Sequence, residues 1–388
     1  MHRYVRRLAA LLILIASLPA VAAAGNSPSA VAAVEPAHAG AALRQQAQRY
    51  RALQQQWQSL SGSPLQPGDK DPRVTELRLL LALLGDYRGL PGPLSGRGSQ
   101  NPARFDGAVQ AAVEHYQRRH GLTASGTLDR VTLAELAVPP GERARQLELN
   151  AERWDKLPNV TGQRYVLINV PDFRLQLVEQ GRVTLSMKTV VGKTSTHTPT
   201  LRTRITNIVF NPSWTVPRSI LLTELLPKAR SNPEAMQRRG YRVVNYHSGA
   251  TAPISADGID RAAHGRATLR QMGGPGNTLG RVKFVMPNKQ AIYLHDTQAQ
   301  SLFELRDRAY SHGCIRLQHP EELAYALLRP QGWDRTRVAE ATTGDESLNI
   351  RVDQPPRVLI TYITAWVDNR GQVQFRRDLY HRDSSPSR

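Results

Sequence analysis

One cysteine, Cys314, stands among 388 residues. That excludes every intramolecular disulfide and every multi-cysteine metal cluster, and leaves a thiol to be explained by packing or reactivity. Acidic residues are also scarce: 32 Asp and Glu face 51 Lys and Arg, a formal charge of +19. A basic surplus suits an anionic envelope or a nucleic acid, but no stacking motif or reader helix accompanies it, so a nucleic-acid partner is not expected. Long apolar runs are missing except for Leu8 to Ala24, which approaches the ~18 residues needed to cross a bilayer. Wholesale disorder is excluded by an ordinary 40% hydrophobic content.

That single run follows Arg3, Arg6 and Arg7 and leads into Ala20-Val21-Ala22 and Ala22-Ala23-Ala24. A positive start, a short apolar middle and an A-x-A end make a secretory signal peptide over 1–24, with a retained membrane anchor as the competing reading. No cysteine near the cut allows lipid attachment. The chain is therefore expected in the periplasm, where a lone thiol is kept for its chemistry or its packing.

Residues 25–42, rich in Ala, Pro, Ser and Gly, read as a flexible lead-in. Leu43, Ala47, Tyr50, Leu53, Trp57 and Leu60 then recur at helical spacing, giving a helical scaffold segment over 43–65. Asp71-Pro72 opens a helix that Gly85 stops, Asp106 caps a second, and a third runs around Val131 to Ala137 before Pro139-Pro140 breaks it. This small three-helix unit, 66–139, has too little core for much chemistry, and adhesion suits it better. A linker is expected over 140–162.

From Tyr165 the periodicity changes to two. Phe173 to Leu177 and Val183 to Met187 read as a hairpin across Glu179-Gln180-Gly181, Val282 to Met286 pairs with Ile292 to His295, and Val358 to Val367 pairs with Val373 to Phe375. Mixed signals between Pro212 and Gly280 suggest a lid-like insertion over the sheet, with a helix near Ile220 to Ala229. The expected class is α+β: a mainly-β domain over 163–345, its insertion at about 213–280, and a β-hairpin extension over 346–388.

The chemistry concentrates in Ser311-His312-Gly313-Cys314-Ile315-Arg316 and in His295, nineteen positions before the thiol. A cysteine near an imidazole is the minimum kit for covalent acyl transfer. Gly313 lets backbone approach a substrate, and the amides of Cys314 and Gly313 are candidate oxyanion donors. Two blander readings compete: a small buried apolar cysteine, and a zinc site from His295, His312 and Cys314. Spacing alone does not choose between them.

The segment from His295 through Ser311-His312-Gly313-Cys314 resembles the signature of the L,D-transpeptidases, the YkuD-like catalytic domain: a histidine, about fifteen residues, then Ser/Thr-His-Gly-Cys. The resemblance extends over Asn211 to Pro217, Pro275-Gly276-Asn277, Lys283-Phe284, Ile292 to Thr297 and Thr364 to Asp368, as in the larger periplasmic branch with an insertion over its active site. Ala108-Val109 and Tyr116 to Leu122 likewise resemble a peptidoglycan-binding domain, although Leu128-Asp129-Arg130 replaces the usual Gly-Pro. Arg316 stands where the broad family has Asn, ready either to bind a stem-peptide carboxylate or to hold its loop.

The resemblance implies a cysteine acyltransferase that needs no cofactor and no metal. Cys314 would be the nucleophile and His295 its base, held by a backbone carbonyl of its own loop rather than by the Asp296 carboxylate. His312 and Gly313 would shape the oxyanion site, and Arg316, Ser311, Tyr293, Trp214 and Asn277 would bind substrate. The implied partners are stem tetrapeptides and glycan strands of peptidoglycan, with carbapenem-type drugs as inhibitors. The implied product joins diaminopimelate residues of neighbouring stems. Water or an envelope protein as acceptor, and a wall-binding protein without activity, are the alternatives.

Overall fold

A computed structural model describes residues 36–87 and 101–384; the expected signal peptide and the first part of the lead-in lie outside them. Helix α1, Pro36–Leu53, begins inside the segment expected to be flexible. The alanines that suggested a flexible lead-in are also the best helix formers, and Ala39, Leu43, Ala47 and Tyr50 give them a face to bury. That face packs in one cluster with Ala144, Leu147, Ala151 and Trp154.

Those partners belong to a helix, Pro140–Asp155, where a linker was expected over 140–162. Pro139-Pro140 does end the preceding helix, but a proline at the first helical position also starts the next one, because its fixed φ is already helical and its missing N–H would have had no partner. The 43–65 scaffold segment divides too. After α1 a 3₁₀ turn covers Gln54–Gln56, and Leu60 and Leu65 join the core of the small helical domain instead.

That domain contains α2 (Arg73–Leu84), α3 (Gly107–Arg119) and α4 (Arg130–Leu136), and the Pro140–Asp155 helix is α5. Asp106 and Asp129 cap α3 and α4 by accepting from Val109 N at 3.1 Å and Thr132 N at 2.7 Å. Val74, Leu77, Leu81, Val109, Val113, Tyr116 and Leu136 fill the core. Arg119 is buried against the carboxylate of Asp86, which also meets His115 Nδ1 at 2.6 Å. Arg376 donates to the Arg119 carbonyl at 3.1 Å, tying this domain to the C-terminal extension.

The larger domain is built on one sheet. Its strands are β1 (Tyr165–Asn169), β2 (Arg174–Glu179), β3 (Arg182–Gly192), β4 (Leu201–Arg204), β5 (Asn207–Phe210), β10 (Val282–Val285), β11 (Leu294–His295), β12 (Ala309–Ser311), β13 (Ile315–Leu317), β14 (Leu348–Arg351) and β15 (Arg357–Thr361). They lie in the order β14-β5-β10-β11-β13-β3-β2-β1-β15-β4, with β12 beside β3. Val166, Ile168, Leu175, Phe284, Leu294, Ile315 and Leu317 bury one face of it.

The insertion forms its own layer. It holds β6 (Trp214–Thr215), β7 (Tyr241–Asn245), β8 (Thr251–Ala252) and β9 (Ala267–Gln271), paired in the order β6-β9-β7-β8 and packed on short helices.

The extension is not the single hairpin expected from Val358 to Phe375. Residues 357–361 enter the main sheet parallel to β1, and only β16 (Ala365–Val367) and β17 (Val373–Phe375) form the hairpin. The break between them has a cause outside the local sequence. Asn169 Oδ1 accepts from Ile363 N at 2.9 Å and Asn150 Oδ1 from Thr364 N at 2.8 Å, which removes those amides from any ladder.

Candidate active site

Three adjacent strands carry the site. In register, Lys283 of β10 opposes His295 of β11, and His295 opposes Arg316 of β13. The residues between them, Phe284, Leu294 and Ile315, point into the core. Alternation therefore sends Lys283, Tyr293, His295 and Arg316 to the opposite face, toward the insertion. Cys314 lies at the start of β13 beside Tyr293, whose carbonyl accepts from Ile315 N at 3.2 Å.

His295 is buried, and its Nδ1 lies 2.5 Å from the carbonyl oxygen of Asp296. A carbonyl only accepts, so the Asp296 contact assigns the proton to Nδ1, while the Leu279 carbonyl also lies against the ring. The Asp296 carboxylate is occupied elsewhere, taking Arg281 N at 2.8 Å and Thr297 N at 2.6 Å. Burial, followed by the Arg316 charge and then by Lys283 against the opposing pull of the carbonyls, holds the imidazole down to about 3. It is a neutral ring at any physiological pH. Burial also pushes the Cys314 thiol up, while Tyr293, Lys283 and Arg316 pull it the other way. At rest both members are uncharged. The thiol is half-buried, 3.8 Å from the Ala291 carbonyl, and makes no hydrogen bond to His295 in this conformation. Catalytic hydrogen bonds are often long or unmade before a ligand arrives.

Gly313 has φ +115°, where side chains are disfavoured, and its carbonyl accepts from Thr198 Oγ1 at 2.8 Å. In a trans peptide the carbonyl and the next N–H point opposite ways. Anchoring Gly313 O therefore turns the Cys314 N–H away from Thr198, and that N–H has no partner among the described residues. Thr198 is held in turn by Tyr380, whose hydroxyl accepts from Thr198 N at 3.2 Å and donates to Gly192 O at 2.7 Å. The Tyr380 ring stacks on His197 at 4.0 Å.

Ser311 and Asn277, expected to bind substrate, are engaged with backbone instead. Ser311 Oγ donates to Cys314 O and accepts from Gly313 N at 3.1 Å, so it shapes the thiol loop. Asn277 is buried, donating to Met272 O and accepting from Leu279 N, both at 2.8 Å, which pins the 273–280 loop. Trp214 sits in the insertion's core cluster with Tyr293 packed against it, so both form a wall. His312 Nε2 lies 2.6 Å from Glu224 Oε1, on a π-helical turn of the insertion at Leu221–Leu225. No three His, Cys, Asp or Glu side chains converge as a metal site among the described residues.

Thr198, Tyr380 and Glu224 were given no role by the sequence, and Lys283 only a place in the resemblance. Only Lys283 carried a signal, as a lysine inside an otherwise alternating apolar strand.

The buried histidines also set an acid limit. His120 lies stacked on Tyr116 at 3.9 Å and is likewise held to about 3, first by burial and then by Arg119. An unfolded chain protonates these rings near 6.5, whereas the folded one does not until about 3. Stability is thus fully present above that upper value and lost as pH falls through the window. Glu135, held down to about 2 by Arg143 and His120 against its burial, contributes in the same direction below 4.5. The melting temperature should fall steadily between pH 6.5 and 4. A flat profile there would contradict the two neutral rings.

Residues 163–345 match the family model described as the YkuD L,D-transpeptidase catalytic domain, and residues 70–136 match one described as "Putative peptidoglycan binding domain". A Haemophilus influenzae protein named "Putative L,D-transpeptidase" is 34% identical over 243 residues, 62% of this chain and 48% of that protein. The chain thus spans about half the length of that curated relative. Among solved structures, an L,D-transpeptidase fragment from Xylanimonas cellulosilytica is 14% identical with a TM-score of 0.24, covering 78% of this chain and 100% of that one. The E. faecium L,D-transpeptidase catalytic domain acylated by ertapenem is 13% identical with a TM-score of 0.24, covering 51% and 95%. Superpositions that poor add nothing to the fold described above.

Proposed function

From a chain that carries an L,D-transpeptidase catalytic domain joined to an N-terminal peptidoglycan-binding domain, we propose a periplasmic enzyme that cross-links peptidoglycan stem peptides through a cysteinyl thioester. The carrying observation is that the half-buried Cys314 thiol follows the 311–313 loop beside Tyr293, whose ring neighbours a neutral His295 that opposes Arg316 across the strand pair.

In this reading His295 Nε2 takes the proton from Cys314 as Sγ attacks the carbonyl between diaminopimelate and the terminal D-alanine of a donor tetrapeptide. The Cys314 N–H receives the oxyanion. The C–N bond breaks, the imidazolium returns its proton to the leaving amine, and D-alanine departs. The side-chain amine of a neighbouring diaminopimelate then attacks the thioester carbonyl: C–N forms, C–S breaks, and the amine's proton passes through His295 to regenerate the Cys314 thiol. Arg316, Tyr293 and Trp214 border the donor site, and the helical domain holds the glycan. The Glu224 contact to His312 closes the insertion over the thiol loop.

Incubating the chain with purified tetrapeptide muropeptides tests this. Free D-alanine and a dimer lighter than two monomers by one D-alanine are expected. D-alanine with no dimer would indicate water as acceptor, and wall binding with no D-alanine would leave a binding protein.

Tyr380 lies beyond the matched catalytic domain yet positions its thiol loop. Tyr380→Phe removes the hydroxyl shared by Thr198 N and Gly192 O. It should cost about 1–3 kcal/mol of stability and lower the kcat for D-alanine release roughly tenfold, since small misplacements of reacting groups are expensive. An unchanged kcat would show that Thr198 holds Gly313 without it.

A further inference from the structure

The side chains of Lys283 and Arg316 have no ion pair or hydrogen bond among the described residues, although both are largely shielded from solvent. The Arg316 Nε is fully buried and partnerless. The only ring contact is that of Lys283, whose Nζ lies 4.2 Å from the centre of Tyr293. Other shielded arginines have protein partners: Arg308 donates to the carbonyls of Thr189 and Phe173, Arg119 to the Asp86 carboxylate, and Arg164 pairs with Glu179 although two of its nitrogens lack a hydrogen bond. Leaving two shielded cations uncompensated is costly, so an anion is the missing partner.

The strand register says where that anion must lie. Lys283 and Arg316 flank His295 from the two neighbouring strands, on its own face. Resting on the proposed transpeptidase reading, the leaving amine must reach His295 to collect its proton, so the leaving residue lies over the imidazole. Its carboxylate carbon is three bonds from the scissile carbonyl carbon, within about 4 Å. Arg316 is two residues beyond Cys314 on the same strand face, about 7 Å along the backbone, and a guanidinium spans the remainder.

We propose that Lys283 and Arg316 together bind the terminal carboxylate of the leaving D-amino acid, making a free C-terminal acid an obligatory feature of the donor. The carboxylate takes no part in bond making: Sγ–C forms, C–N breaks, and the thiol proton passes through His295 to the departing amine. Its charge does, however, neutralise the two cations that oppose an imidazolium at His295. Burial remains the larger brake on that imidazolium, and the seated carboxylate removes the part due to Arg316 and Lys283, which favours passage of the thiol proton to the base. A thiol in an oxidising envelope stays protonated until then, and endopeptide bonds within a stem are refused.

The test uses the full chain with a synthetic stem tetrapeptide, its C-terminal amide, and a third donor amidated only at the diaminopimelate side-chain carboxylate. Released D-alanine or D-alaninamide is measured by mass. Wild type should prefer the free acid over the C-terminal amide by at least a hundredfold in kcat/KM and accept the third donor. Lys283→Met should reduce that preference below about fivefold, chiefly by raising KM for the acid, and Lys283→Arg should restore it. Equal use of acid and C-terminal amide by wild type overturns the proposal, and does so even if Lys283→Met fails to fold. So does a folded Lys283→Met that keeps the full preference, or discrimination against the side-chain amide instead. Release from none of the donors overturns the transpeptidase reading itself, and this site with it.

Discussion

Cys314→Ala should lower D-alanine release from tetrapeptide muropeptides by at least ~10⁴-fold, the scale on which enzymes lose turnover when a covalent nucleophile is deleted. No second thiol can substitute, because the sequence contains one cysteine. His295, left intact, is too weak a base at about 3 to activate water unaided. The substitution keeps Cβ at a half-buried site, so its effect on melting should stay within about 1 kcal/mol. Loss of activity with retained folding then separates chemistry from structure. Cys314→Ser should fare little better, since a hydroxyl is far harder to ionise than a thiol. Intact mass after exposure to a carbapenem should show an adduct on wild type and none on the alanine variant. Cross-linked dimer accumulating at the wild-type rate from Cys314→Ala would remove the thioester from the mechanism altogether.

Gly192→Ala should do the next largest damage, from a position behind the thiol loop. A Cβ there would stand 2.0 Å from Thr196 O and 2.7 Å from Thr198 N, both backbone atoms that cannot rotate away. The 193–198 loop must move bodily. That breaks the bonds from Thr198 Oγ1 to Gly313 O and from Lys193 N to Ser311 O, which hold the thiol loop from outside. Overpacking of this kind costs roughly 3 kcal/mol, and the lost orientation of the Cys314 N–H should reduce D-alanine release at least a hundredfold, the usual effect of deleting one oxyanion donor. Thr198→Val removes the hydroxyl without the collision, so it should retain most of the stability while losing much of the rate. Normal melting and normal release in Gly192→Ala would mean that the loop relaxes freely and that the thiol loop stands unaided.

Local chemistry was legible where residues act on their neighbours in the chain. Asp106 was readable as a helix start, the alternating runs around Glu179-Gln180-Gly181 were readable as a hairpin, and the spacing from His295 to Cys314 pointed to the candidate site. Where a side chain's partners lie in its own folded loop or in distant chain, the sequence did not show them. Asn277 and Ser311 looked like substrate contacts because polar side chains near a nucleophile invite that role, yet both are consumed by backbone groups of their own loops. The segment at 140–162 looked like a linker because its apolar stripe has meaning only once α1 is known to cover it.

The amino-acid order alone therefore determined the lone thiol, the candidate histidine, the helical and β halves, and the sign of the charge. Only the tertiary structure decided that Lys283, His295 and Arg316 form one row across three strands, and that Tyr380, nearly seventy residues past the thiol, steadies its loop. The reason is physical. Caps, turns and alternation arise from interactions within a few residues, whereas strand register and burial join residues that the sequence separates, and a side chain's charge state follows from those joins.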